Sequence, residues 1–169
     1  MEASRLNTGE KIAGISGVLL LIIMFLFDWF TIDVGGGVFD VSTGGNAWES
    51  FGFIDLVLFL AAASGIALAG VAAAASKPDM PVALSAITAG LGILGVVLVL
   101  FRIISPPDFG VGDLVDVGRG IGVFLGLVAV AGVAYGGWAA MQAEGSSFGA
   151  PAGERDAPPP PPPPSSPSV

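Results

Sequence analysis

The chain has 169 residues, 53% of them hydrophobic and 12% charged, with a mean hydropathy of +0.84. Soluble domains carry about a quarter charged residues, so this is the composition of a membrane protein. It contains no cysteine and no histidine, which removes thiol nucleophiles, disulfides, imidazole bases and the usual zinc and haem ligands. The net charge is -8 and only six Lys and Arg are present; being scattered, they argue against nucleic acid as a partner, since phosphate binding needs clustered cations.

A helix crossing a hydrocarbon core of ~30 Å needs about 20 residues at 1.5 Å each, and charges bracket four such intervals. There are 16 uncharged residues between Lys11 and Asp28, 21 between Asp55 and Lys77, 22 between Asp79 and Arg102, and 24 between Arg119 and Glu144. The first interval is short, so the first helix is expected to include Asp28, Trp29 and Phe30 in order to complete its crossing. An all-α fold follows: an integral membrane bundle of four transmembrane helices over 1–145, at about 12–30, 53–75, 82–104 and 121–143, with a proline-rich tail over 146–169. After Phe27 the sequence offers no small-residue cleavage site, so the first span is expected to stay as an anchor and not to be removed as a signal peptide.

In chain order, Asn7 followed by Glu10 has capping-box spacing ahead of Ile12, and Asn46 with Glu49 repeats it. From Asn46 the second helix is expected to start as an interfacial turn or two, with Trp48 and Asp55 on one face. The 31–52 segment carries Gly35-Gly36-Gly37 and Gly44-Gly45 around Val38-Phe39-Asp40-Val41, which suits a short hairpin strand. Ser76-Lys77-Pro78-Asp79-Met80 is short enough to force the second and third helices into an antiparallel hairpin, with Asp79 as an N-cap. The 105–119 segment opens with Pro106-Pro107 and cannot begin as a helix. The fourth helix is expected to end at Gly145.

Four spans put both termini and the 76–80 turn on one side, with Arg5, Lys11, Lys77 and Arg155; the other side has Arg102 and Arg119. The positive-inside rule then places both termini in the cytoplasm and the 31–52 and 105–119 loops outside. Eight acidic residues, Asp28, Asp33, Asp40, Glu49, Asp55, Asp108, Asp113 and Asp116, lie on or near that outer face. Carboxylates can hold a hard cation, but the spacing matches no calcium loop and a solvated acidic surface is the preferred reading. No metal or cofactor is expected.

Asp28, Asp55, Arg102 and Arg119 arrive at a similar depth, one from each helix, and form the candidate charge cluster: Arg102 is expected to meet Asp28 or Asp55, against the alternative of four separately snorkelling side chains. Gly118, Gly122, Gly126, Gly132 and Gly136 are the candidate helix-packing residues of the fourth span. Small residues at such spacings let backbones approach closely in a membrane, either inside the bundle, the preferred reading, or at a homo-oligomer or membrane-protein seam. Polar residues within the spans are few, Ser16, Ser64, Ser85 and Thr88, and none neighbours a base in sequence, so no enzyme is expected. Pro158 to Pro164 form a polyproline II rod within a disordered tail, which serves as a spacer or docks on an aromatic groove of a polyproline-binding partner.

The stretches Gly9-Glu10-Lys11-Ile12-Ala13-Gly14, Asn46-Ala47-Trp48-Glu49 with Phe53-Ile54-Asp55, Phe101-Arg102-Ile103-Ile104-Ser105-Pro106-Pro107, and Ala134-Tyr135-Gly136-Gly137-Trp138 through Gly145-Ser146-Ser147-Phe148-Gly149 resemble a group of small four-helix membrane proteins of actinobacteria. The resemblance covers roughly 5–149 and implies a bacterial cytoplasmic membrane and this topology, with no activity attached; it lends the tail no function. The expected role is therefore a structural, accessory or partner-binding membrane component. The alternatives are a small oligomeric transporter or channel subunit, and an extracytoplasmic cation or ligand sensor acting through the acidic loops.

Overall fold

The computed structural model describes residues 6–34, 41–50, 52–74, 83–105 and 116–145. The proline-rich tail, the 76–80 turn with Asp79, and Asp40, Asp108 and Asp113 lie outside these described residues.

The first helix, α1, spans Thr8–Leu26. Asn7 caps it as the sequence suggests: its side-chain oxygen accepts from the Glu10 N–H at 2.9 Å, while Glu10 Oε2 accepts from the Asn7 N–H at 2.7 Å. Two orphan donors are satisfied reciprocally. Because the helix starts at this cap and not at Lys11, its 19 residues already reach ~28 Å. The first helix therefore does not contain Asp28, Trp29 and Phe30; it ends at Leu26, and Phe27 turns the backbone to an extended conformation.

Those extended residues start a sheet. Strand β1 is Phe30–Val34, β2 is Val41–Gly45 and β3 is Asp116–Arg119. The order is β2-β1-β3 with both pairings antiparallel, so Phe30 lies opposite Gly45 on one side and Arg119 on the other. The expected hairpin strand at 38–41 is met only by β2, which begins at Val41; 38–40 lie outside the described residues. This sheet is an addition to a fold expected to be all-helical. It also corrects two placements, since Gly118 and Arg119 belong to β3 and not to the fourth helix. Pairing with β1 supplies the hydrogen bonds that a helical turn would otherwise have given them.

A four-residue helix, α2 (Ala47–Ser50), follows β2. Gly52, at φ 62, separates it from α3 (Phe53–Ala73), so the expected continuous start from Asn46 is broken by a residue in a backbone region that only glycine enters freely. Trp48 and Asp55 consequently do not share a face: Trp48 is exposed and Asp55 is fully buried. The remaining helices are α4 (Leu84–Ile104) and α5 (Ile121–Ala143). The fourth span closes where expected, with Glu144 as C-cap and Gly145 at φ 65.

Helices α1, α3, α4 and α5 have 19, 21, 21 and 23 residues and are long and apolar enough to cross a membrane. They pack in the cyclic order α1-α3-α4-α5, with all adjacent pairs antiparallel and a smaller contact between α3 and α5 across the ring. Large apolar side chains cover much of the bundle's outside, Leu26, Phe53, Ile104, Ile121 and Val128 among them, while Leu20, Met24, Leu58 and Val99 are buried together with Ala13, Ala61, Ala62, Ala89, Ala129 and Ala140. The buried small residues let the helices gain van der Waals contact by close approach. The sheet lies at the end where α1 and α4 finish and α3 and α5 begin. The opposite end, the termini end, carries the start of α1 and the end of α5.

Candidate functional site

The sheet end is built around Asp28-Trp29. Trp29 is fully buried, and its indole N–H donates to the Ile23 carbonyl at 3.2 Å. Its ring fills the face of α5 left bare by Gly122 and Gly126; a Cβ on Gly126 would overlap the indole. The main chain here does a second job. The Asp28 carbonyl accepts from the Gly122 N–H and the Trp29 carbonyl from the Gly120 N–H, each at 3.0 Å, and the Trp29 N–H donates to the Gly45 carbonyl at 2.8 Å. One of the four orphan donors at the α5 N-terminus is thus satisfied by Asp28, two residues beyond the end of α1.

The four candidate charges separate into three arrangements. Asp28 is exposed, with its carboxylate over Gly44 of β2, where a Cβ would overlap it. Asp55, in the first turn of α3, is completely buried. Arg102, in the last turn of α4, is half-buried, and Asp55 is the charge that acts on it. Both signs suit their helix ends, an anion near an N-terminus and a cation near a C-terminus. Arg119 joins neither carboxylate in this arrangement: from β3 its Nε donates to the Ile103 carbonyl at 2.9 Å, closing one of the open carbonyls at the end of α4.

Of the five glycines, Gly122 and Gly126 face Asp28 and Trp29, Gly132 faces Ser16 of α1, and Gly136 faces Ala13 of α1. Gly118 is paired opposite Thr31 in the sheet. Gly122, Gly126, Gly132 and Gly136 thus meet other parts of the same chain.

Two features had weak or no sequence signal. Trp48 stacks on Phe25 at 5.7 Å and meets Phe59 edge-on at 6.0 Å, an aromatic row across α1, α2 and α3 that no spacing in the sequence reveals. At the termini end, Ser85 Oγ donates to Glu144 Oε2 at 2.6 Å, a pair 59 residues apart. A hydroxyl bonded to a carboxylate is the elementary form of an activated nucleophile, but Ser85 is fully buried. It joins the start of α4 to the end of α5. Ser64 and Thr88 bond carbonyls of their own helices, at Ala61 and Leu84, as hydroxyls in membrane helices commonly do. Among the described residues no three carboxylates gather as they would around a metal ion.

What the arrangement does chemically is hold a buried carboxylate within electrostatic reach of a cation and close helix ends. Searches against protein-family models, curated proteins and solved structures return no match to this chain.

Proposed function

We propose that the chain is a structural or accessory component of a bacterial cytoplasmic membrane, a four-span bundle that holds a partner and neither conducts a solute nor catalyses a reaction. The observation that carries this reading is the filled interior. Gly92 lies against Ala134, Gly95 against Val130 and Leu58, and Gly17 against Ala62, so the middle of the bundle is occupied by backbone and packed apolar side chains. A conducting path needs polar groups lining water, and the hydroxyls of Ser64 and Thr88 are engaged within their own helices. The likeness to the actinobacterial four-helix group supports the cytoplasmic membrane. The Lys and Arg distribution supports cytoplasmic termini, with the sheet end outside. The partner is a membrane protein or a second copy, and Pro158–Pro164 provide a further attachment for a polyproline-binding protein.

The test is reconstitution of the full chain into vesicles loaded with pH- and potassium-sensitive dyes. Fluxes equal to those of empty vesicles are expected; a flux rising with protein content overturns the reading in favour of a transporter or channel subunit. Cross-linking in native membranes with mass spectrometry then identifies the partner. Because the chain has no cysteine, its orientation is open to single-cysteine labelling. Ser105→Cys is expected to react with an impermeant maleimide from outside the cell, and Ser146→Cys only after permeabilisation.

A further inference from the structure

Arg119 is exposed, and the sheet decides where it reaches. It is paired opposite Phe30, and directly opposed residues of antiparallel strands project from the same face. Phe30 is buried in the core of the bundle, so Arg119 projects from the face of the sheet turned toward the helices and not from the one turned away. Its Nε bond to the Ile103 carbonyl, 2.9 Å long, agrees with this: the guanidinium lies against the last turn of α4. The 21 residues of α4 cover about 30 Å, the thickness of a hydrocarbon core. Ile103, the last residue but one, therefore stands at the edge of that core.

The surface around this position is apolar. Phe101 and Ile104 of α4 and Ile121 at the start of α5 are all exposed, as side chains facing acyl chains would be. Among the described residues Arg119 makes no second hydrogen bond and no ion pair; the other cation at this end, Arg102, is half-buried and set against Asp55. A guanidinium carries five N–H donors in a planar fork, and Ile103 takes one of them. The rest are held at the level where hydrocarbon gives way to headgroups.

From this placement we infer that Arg119 binds the phosphate of a glycerophospholipid in the leaflet at the sheet end, with the acyl chains lying along Phe101, Ile104 and Ile121. A phosphodiester offers the negative charge and the paired oxygens that the guanidinium fork holds bidentately, and a bilayer presents it just above the hydrocarbon edge, where the Ile103 bond fixes the fork. The inference concerns a lipid ligand and goes beyond the partner-holding role; it stands whether or not that role does.

The test is native mass spectrometry of the delipidated full chain in dodecyl maltoside, titrated with dioleoyl phosphatidylglycerol. Arg119→Gln keeps an N–H for the Ile103 carbonyl but loses the charge, and is expected to weaken the tightest lipid binding by about tenfold, the change given by one hydrogen bond to a charged group. Arg119→Lys keeps the charge and loses the planar fork; it is expected to fall between the two, and it keeps the comparison informative if the Gln variant folds poorly. Lys11→Gln, an exposed cation at the termini end, serves as the control and leaves the binding unchanged. Dioleoylglycerol, with the same chains and no phosphate, is expected to bind wild type as weakly as phosphatidylglycerol binds Arg119→Gln, and a large excess of glycerol phosphate is expected not to displace the lipid. Equal affinity in wild type and both Arg119 variants overturns the inference, as does an equal loss in Lys11→Gln, which would mean attraction by bulk charge alone. Displacement by glycerol phosphate overturns it in favour of a soluble phosphate ligand.

Discussion

A carboxylate at the start of a membrane helix is tolerable at the surface and costly once buried, and Asp55 is fully buried. The cation set against it electrostatically is Arg102 of the antiparallel neighbour α4. Removing the cation from such a pair leaves a buried charge, so Arg102→Leu is expected to cost on the order of 3 kcal/mol, read as a lower midpoint of thermal unfolding in detergent. Adding Asp55→Asn should recover much of that loss, because the double variant no longer buries a charge. Additive losses would mean that the two side chains act separately. Trp29 provides a second test at this scale. Gly126→Ala introduces a methyl where the indole lies, and overpacking of this kind costs about 1–3 kcal/mol; in a Trp29→Phe background, with a smaller ring, the penalty should shrink. Thermal melts of the four proteins of that cycle measure it.

Helices and strands differ sharply in how far they were legible. Four spans follow from charge placement alone, and the Asn7–Glu10 cap could be read three residues apart. The same count misplaced the end of the first helix, because it began at Lys11, a side chain that sits beyond the cap and inside the helix. The sheet left almost no trace: its strands are four or five residues long, β2 ends in two glycines, and β3 pairs with a segment more than eighty positions earlier. Local pattern cannot carry a pairing whose partner is distant. That Asp28, Asp55, Arg102 and Arg119 lie toward one end of the bundle was legible from the charge count, but how they stand to one another was not, since rotation about each helix axis decides it. The Ser85–Glu144 bond is an element-scale pin of the same non-local kind. Glu144→Gln retains an acceptor for the hydroxyl, whereas Ser85→Ala leaves the carboxylate without that donor. Ser85→Ala is expected to cost about 1–3 kcal/mol and to speed hydrogen exchange at the first turn of α4, with Glu144→Gln nearer to wild type.

For the whole molecule, the ring order α1-α3-α4-α5 places the first and last spans side by side, with glycines as the meeting surface. Ser16 Cβ stands 2.9 Å from where a Cβ at position 132 would be, close enough for the helices to ease apart slightly into a disulfide. The double variant Ser16→Cys, Gly132→Cys is therefore expected to oxidise within one chain and migrate as a monomer on a non-reducing gel. Dimer bands from Gly132→Cys alone would instead put the glycine stripe at a contact between copies.

The antiparallel pairing of β1 with β3 also has a consequence for biogenesis. A ribosome delivers β1 early, yet its second partner emerges only after three spans have been synthesised, and the Gly122 N–H that meets the Asp28 carbonyl comes later still. Until then the nascent chain exposes an open strand edge and an unfilled indole. Insertion of the final helix closes both at once, so a chain truncated after Ser105 would carry both defects permanently and offer membrane proteases a ready mark of an unfinished product.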